Sequence, residues 1–344
     1  MLVERGQAVS PYSEWNFCED ETGIVYCLGR NMDAYTHEAV AVYERSQDGA
    51  GTKQSLESGA FYNRIMYHGF PEEQEKLDLL VPITRSTILG RMSLLDTCLY
   101  VDPRKMSRPD LKYGSIEHWL GRSDSQSRPF RHSLEIACDV IESAGVPLDK
   151  VKLYGGASFG LVGAPDKWVD DIDFLVDISS EQLLEIVERF NKPYTWNDID
   201  PNNILSDRRK ALKAKRWSTS QLRLQVPDFL SVDFKIERTT GQKSLWDRQS
   251  SQSLQSGELQ LMVLDDSEAF SISPALLCTD RNGQEHTVLF RGYPYVGTAV
   301  KGDVVTVKGK VDTDSQLIVV SQAVDDLLIP NLRNTRLLSD TRLY

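Results

Sequence analysis

The chain has 344 residues, 40% of them hydrophobic and 26% charged, with a formal net charge of -11. That length exceeds one small core and points to two domains with room for a third small module, and the composition excludes disorder along the whole chain. The acidic balance excludes nucleic-acid binding through an overall positive field, but leaves polyphosphates open where metal ions neutralise the approach.

The cysteines Cys18, Cys27, Cys98, Cys138 and Cys278 show neither Cys-x-x-Cys nor zinc-ligand spacing with a histidine, which reads as reduced thiols. Met1 to Ser10 lacks the basic start and apolar stretch of a secretory signal, and no run approaches the ~20 apolar residues of a membrane span. The expected location is the cytoplasm, with no membrane partner.

In chain order, Gly23 to Leu28 and Ala39 to Tyr43 read as two strands of a hairpin or meander. Ser46 to Ser58 reads as a loop, Leu77 to Ile83 is a further apolar piece, and the polar stretch Asp102 to Arg128 reads as a connection. Leu134, Ile136, Ala137, Val140 and Ile141 recur at helical spacing within Phe130 to Ala144, and Gly145 before Pro147 ends that helix. Next come a strand at Val151 to Tyr154, a glycine turn, a strand at Ile172 to Ile178, helices at Glu181 to Phe190 and Asp207 to Trp217, and a strand at Phe229 to Glu237. Beyond the Ser/Gln-rich stretch Ser250 to Ser256, the segments Thr287 to Phe290, Asp303 to Val311 and Gln316 to Val320 read as strands of a small β-barrel, with the oligonucleotide-binding type as one option. The turn Asp312 to Ser315 supports a hairpin between the last two, and the end of the chain, carrying Arg333, Arg336 and Arg342, reads as a tail.

The expected fold class is α+β with an α/β-like core, a mixed sheet flanked by helices. An N-terminal β-containing domain covers 1–125, a central domain 126–250, a small β-rich module 257–330 and a tail 331–344.

The chemistry concentrates between Val151 and Ile178. Asp171 and Asp173 lie two apart in a strand pattern, so they share one face, while Ile172 and Phe174 take the other. Paired carboxylates suit Mg²⁺ or Mn²⁺, hard cations that also bind the phosphates of a nucleotide. Upstream, Gly155 and Gly156 allow close backbone approach to a phosphate, and Ser158 offers a hydroxyl donor. Asp233, in an apolar strand, is either a third metal ligand or the ion partner of Lys235. Arg209 and Arg216, seven apart, share a face of the expected basic helix and are candidate substrate contacts, against the competing reading of a solvated surface helix.

In the order Gly155, Gly156, Asp171, Asp173, Asp233, the segment Val151 to Glu237 resembles the nucleotidyltransferase superfamily of DNA polymerase β. Within it the chain is similar to uncharacterised archaeal-type predicted nucleotidyltransferases, in which a strand pair like Asp20 to Tyr43 precedes the catalytic domain. The usual Gly-Ser pair is Gly155-Gly156 here, with serine displaced to Ser158. The resemblance implies a nucleotidyltransferase catalytic domain with an NTP substrate. Asp171 and Asp173 would hold two Mg²⁺ or Mn²⁺ ions, with Asp233 completing the metal site and positioning or deprotonating the attacking hydroxyl. The resemblance leaves the acceptor open among RNA, a protein and a small molecule. The competing readings are a non-catalytic nucleotide- or RNA-binding module and a structural subunit of a larger assembly.

Overall fold

The structure is a computed structural model. It describes residues 14–31, 36–67, 99–107, 111–143, 145–163, 171–179, 182, 222–226, 230–236, 245, 255–271, 274–290, 299–312, 314–320 and 327–330, with the backbone alone at positions such as 171, 222–226, 230–234 and 236. The chain divides into two compact units that interleave in sequence, 1–132 with 153–169 and 133–152 with 170–344. No helix among the described residues is long and apolar enough to cross a membrane.

The first six strands are β1 (Phe17–Glu19), β2 (Ile24–Asn31), β3 (His37–Arg45), β4 (Lys53–Ser55), β5 (Phe61–Tyr67) and β6 (Leu99–Val101). β7 (Val151–Leu153) belongs to a second sheet, whereas β8 (Leu161–Gly163) closes the first, whose order is β1-β2-β3-β5-β4-β8 with β6 also on β3. The expected pair at Gly23 to Tyr43 is the antiparallel ladder β2–β3. Asp20 sets its entry turn by accepting from the Thr22 amide at 2.9 Å and the Ile24 amide at 3.0 Å. Cys18, Tyr26, Leu28, Ala39, Ala41, Leu99 and Val101 form one core cluster. The stretch expected as a loop, Ser46 to Ser58, contains β4, which pairs with β5 and with β8. Three polar residues carry no alternation signal of their own; their ladder partners supply the strand.

The polar connection after Asp102 is built around aromatics. Trp119 is fully buried, donates its indole N–H to the Tyr113 carbonyl at 2.8 Å and packs on Phe130 with ring centroids 4.5 Å apart. The expected helix spans Arg128–Ser143 and buries Phe130, Leu134, Ala137, Cys138 and Ile141 along one stripe. Gly145 ends it at φ 84, and the Val146 amide reaches back to the Ile141 carbonyl at 3.2 Å.

The second sheet adds β9 (Asp171–Val176), β10 (Leu222–Val226) and β11 (Leu230–Ile236) in the order β10-β11-β9-β7. It is mixed: β10 and β11 are antiparallel, β11 and β9 parallel. The Asp177 amide bonds the Lys150 carbonyl at 3.0 Å, joining the end of β9 to the start of β7 as antiparallel neighbours require. The expected helices at 181–190 and 207–217 lie outside the described residues, Gln182 apart. What is described is therefore strand-rich, with few helices, rather than an evenly mixed α/β core.

The C-terminal strands are β12 (Gln255–Glu268), β13 (Ala275–Thr279), β14 (Glu285–Phe290), β15 (Val304–Asp312), β16 (Leu317–Val320) and β17 (Leu327–Pro330). The order β12-β13-β14-β16-β15 closes on itself because β12 also pairs with β15, so the expected small barrel is present and has five strands, with β17 added on β15. β12 achieves this by pairing β15 with its first half and β13 with its second, bending at register shifts after Val263 and Asp265. Leu261, Val263, Leu276, Cys278, Val288, Phe290, Val305, Val307, Ile318 and Val320 are all buried. Gly309 marks the tightest approach: a Cβ there would lie 2.3 Å from the Val319 carbonyl oxygen. The expected hairpin β15–β16 is present, its turn fixed by Asp312 accepting from the amides of Asp314 and Ser315.

Candidate functional site

The carboxylates are placed by two adjacent strands. β9 alternates, with Ile172, Phe174 and Val176 at or near zero exposure, so its odd positions Asp171 and Asp173 occupy the other face. Parallel pairing with β11 sets Ser231 opposite Asp171, Asp233 opposite Asp173 and Lys235 opposite Leu175. Strand spacing puts the Asp173 and Asp233 backbones about 5 Å apart, with Asp171 about 7 Å further along β9. The three aspartates singled out from the sequence thus fall on one face of one sheet.

Two cations share that face. Arg223 on β10 stands opposite Asp233, and Lys235 lies one repeat beyond Asp233 along β11. Sequence reading passed over Arg223, although Leu222-Arg223-Leu224-Gln225-Val226 alternates apolar and polar as a half-buried strand does. Lys235 was read as a partner for Asp233, and the structure adds its burial, at 2% exposure.

Carboxylates are the donors that Mg²⁺ or Mn²⁺ takes, so three aspartate positions on one face of a sheet fit such ions by residue type. Of the three, only Asp173 has a described side chain, which is partly buried. Among the described residues no group of three or more His, Cys, Asp or Glu side chains is arranged to hold a metal.

Gly155, Gly156 and Ser158 belong to the first compact unit, whereas the aspartates belong to the second. Gly155–Ser158 forms a single helical turn with Gly155 at φ 70. The Ser158 hydroxyl donates to the Gly155 carbonyl at 2.9 Å, so the proton expected to serve a phosphate is used within the turn. At Gly156 a Cβ would meet the Tyr43 hydroxyl at 3.1 Å, which gives this glycine a packing reason of its own. Arg209 and Arg216 lie outside the described residues.

Comparison with protein-family models, curated proteins and solved structures returns no match.

Proposed function

We propose that this chain is a metal-dependent nucleotidyltransferase of the polymerase β superfamily, moving a nucleoside monophosphate from an NTP to an acceptor hydroxyl. One observation carries the reading: Asp233 stands in register with Asp173, and Asp171 is one repeat away on the same face. Two acids directly opposite one another repel, a cost that a cation bound between them would offset.

Asp171, Asp173 and Asp233 would hold the divalent ions, which when bound neutralise phosphate charge and polarise the α-phosphate. Asp233 accepts the proton of the attacking hydroxyl as its oxygen bonds the α-phosphorus and the bond to the β-phosphate oxygen breaks, releasing pyrophosphate. Arg223, whose backbone pairs with Asp233, would balance charge on the triphosphate. The test is pyrophosphate release with each NTP, Mg²⁺ or Mn²⁺, and RNA, protein or small-molecule acceptors. Release is expected from the wild type and lost in Asp171→Asn plus Asp173→Asn. Equal release by that double variant would sink the proposal.

The closed barrel favours a second reading, an RNA- or nucleotide-binding module without catalysis, because oligonucleotide-binding barrels share this architecture. Charge weighs against it. Residues 255–330 carry eleven acidic and five basic side chains, the reverse of a backbone-tracking groove. This reading requires RNA binding that weakens with salt, ignores Mg²⁺ and survives the aspartate substitutions.

A further inference from the structure

Lys235 is among the most deeply buried large side chains, at 2% exposure. An ammonium group is rarely taken out of water unless an anion compensates it. Its strand neighbours narrow the choice. Leu175, directly opposite, is apolar and buried, whereas the shared face holds Asp233 two residues before Lys235 and Asp173 diagonally across on β9. Diagonal positions on adjacent strands stand about 7–8 Å apart, within reach of a lysine.

We propose that Lys235 is a positioning residue, the resident counter-cation of the Asp173–Asp233 pair, holding the two like charges together when no divalent ion is bound and competing with an ion that is. The proposal rests on the nucleotidyltransferase reading only for the identity of the competing cation. Two acids directly opposite one another repel. One buried ammonium beside them reduces the local charge from two negatives to one, which keeps the register intact without metal. The same positive charge lowers the affinity for a divalent ion.

Two measurements on the full chain test this, one of them independent of any metal. In metal-free buffer, Lys235→Met should lower the melting temperature by about 5–10 °C. In the Asp233→Asn background the same substitution should cost about half as much, because only one acid is then left without its cation. Equal costs in both backgrounds would overturn the proposal, since a lysine compensated elsewhere does not sense Asp233. Mn²⁺ binding, followed by its electron paramagnetic resonance signal, should tighten roughly fivefold to tenfold in Lys235→Met, as expected from removing one positive charge near a divalent ion. Unchanged or weaker Mn²⁺ binding in that variant would also overturn it. If Mn²⁺ binds no form of the protein, the nucleotidyltransferase reading and the competition part of the proposal fall together, and the stability coupling decides the counter-ion part alone.

Discussion

Asp173 and Asp233 stand directly opposite one another on adjacent parallel strands. Like charges in that position destabilise a sheet by about 0.2–1 kcal/mol, a local cost that falls where the proposed chemistry is centred. Asp233→Asn removes the repulsion while leaving Asp173 and Lys235 as a one-to-one pair. It is expected to raise the melting temperature in metal-free buffer by about 1–4 °C and to abolish pyrophosphate release. Differential scanning calorimetry beside the release assay checks both. A lower melting temperature would show that Asp233 is held by favourable partners instead.

Gly156 separates packing from phosphate contact. A Cβ at this position would sit 3.1 Å from the Tyr43 hydroxyl and 3.7 Å from its Cζ, so the hydroxyl is the tight contact. Gly156→Ala should destabilise the protein by about 1–2 kcal/mol, and Tyr43→Phe in the same chain should recover most of that loss. Urea unfolding of the single and double variants reads the coupling. Recovery of stability without recovery of transfer would give the glycine a second role at the substrate.

Strands β2, β3 and β16 were legible in the sequence as continuous apolar runs, and β9, β11 and β15 as alternation, as buried Ile172, Phe174 and Val176 show. β4 and β8 were not, since Lys53–Ser55 and Leu161–Gly163 are too short for a period and find each other across more than a hundred residues. The first residues of β12 fell within the Ser/Gln-rich stretch Ser250 to Ser256, since Gln255 and Ser256 are polar and exposed and carry no apolar signal. For the site, residue types and order identified the three aspartates, but only register aligned Asp233 with Asp173 and brought Arg223 beside them. Pairing partners are a property of the folded chain, so no local pattern contains them.

Cys18, Cys27, Cys138 and Cys278 are buried thiols outside any disulfide. Burial pushes the Cys138 and Cys278 thiols up to about 12. At pH 8 almost no thiolate is present at either position, and the sulfur is shielded as well. Iodoacetamide should therefore leave both unmodified in the folded protein and alkylate both promptly in concentrated guanidinium, as read by peptide mass spectrometry. Alkylation of Cys278 under native conditions would show that the barrel opens locally.

Asp102 provides a pH test in the first unit. Its buried carboxylate accepts from Arg104 Nε at 2.8 Å and Nη2 at 2.6 Å and from the Arg104 amide at 3.1 Å. The Arg104 side-chain hydrogen bonds, opposed by burial, hold the carboxyl below its ordinary value. A depressed folded value means that the ionised form is favoured by folding. Its contribution is complete above the unfolded carboxylate value near pH 4 and is lost as pH falls through the lower, folded value. Arg104 is half exposed, so solvent screening keeps the pair to about 1 kcal/mol at neutral pH. Asp102→Asn should be less stable than the wild type by about that amount at pH 7, and the difference should shrink below about pH 4 as the wild-type carboxylate takes up its proton. Melting curves of both proteins between pH 7 and pH 2.5 measure this; a gap that stays constant throughout would mean that the charge on Asp102 contributes nothing and that its backbone-capping hydrogen bond carries the whole effect.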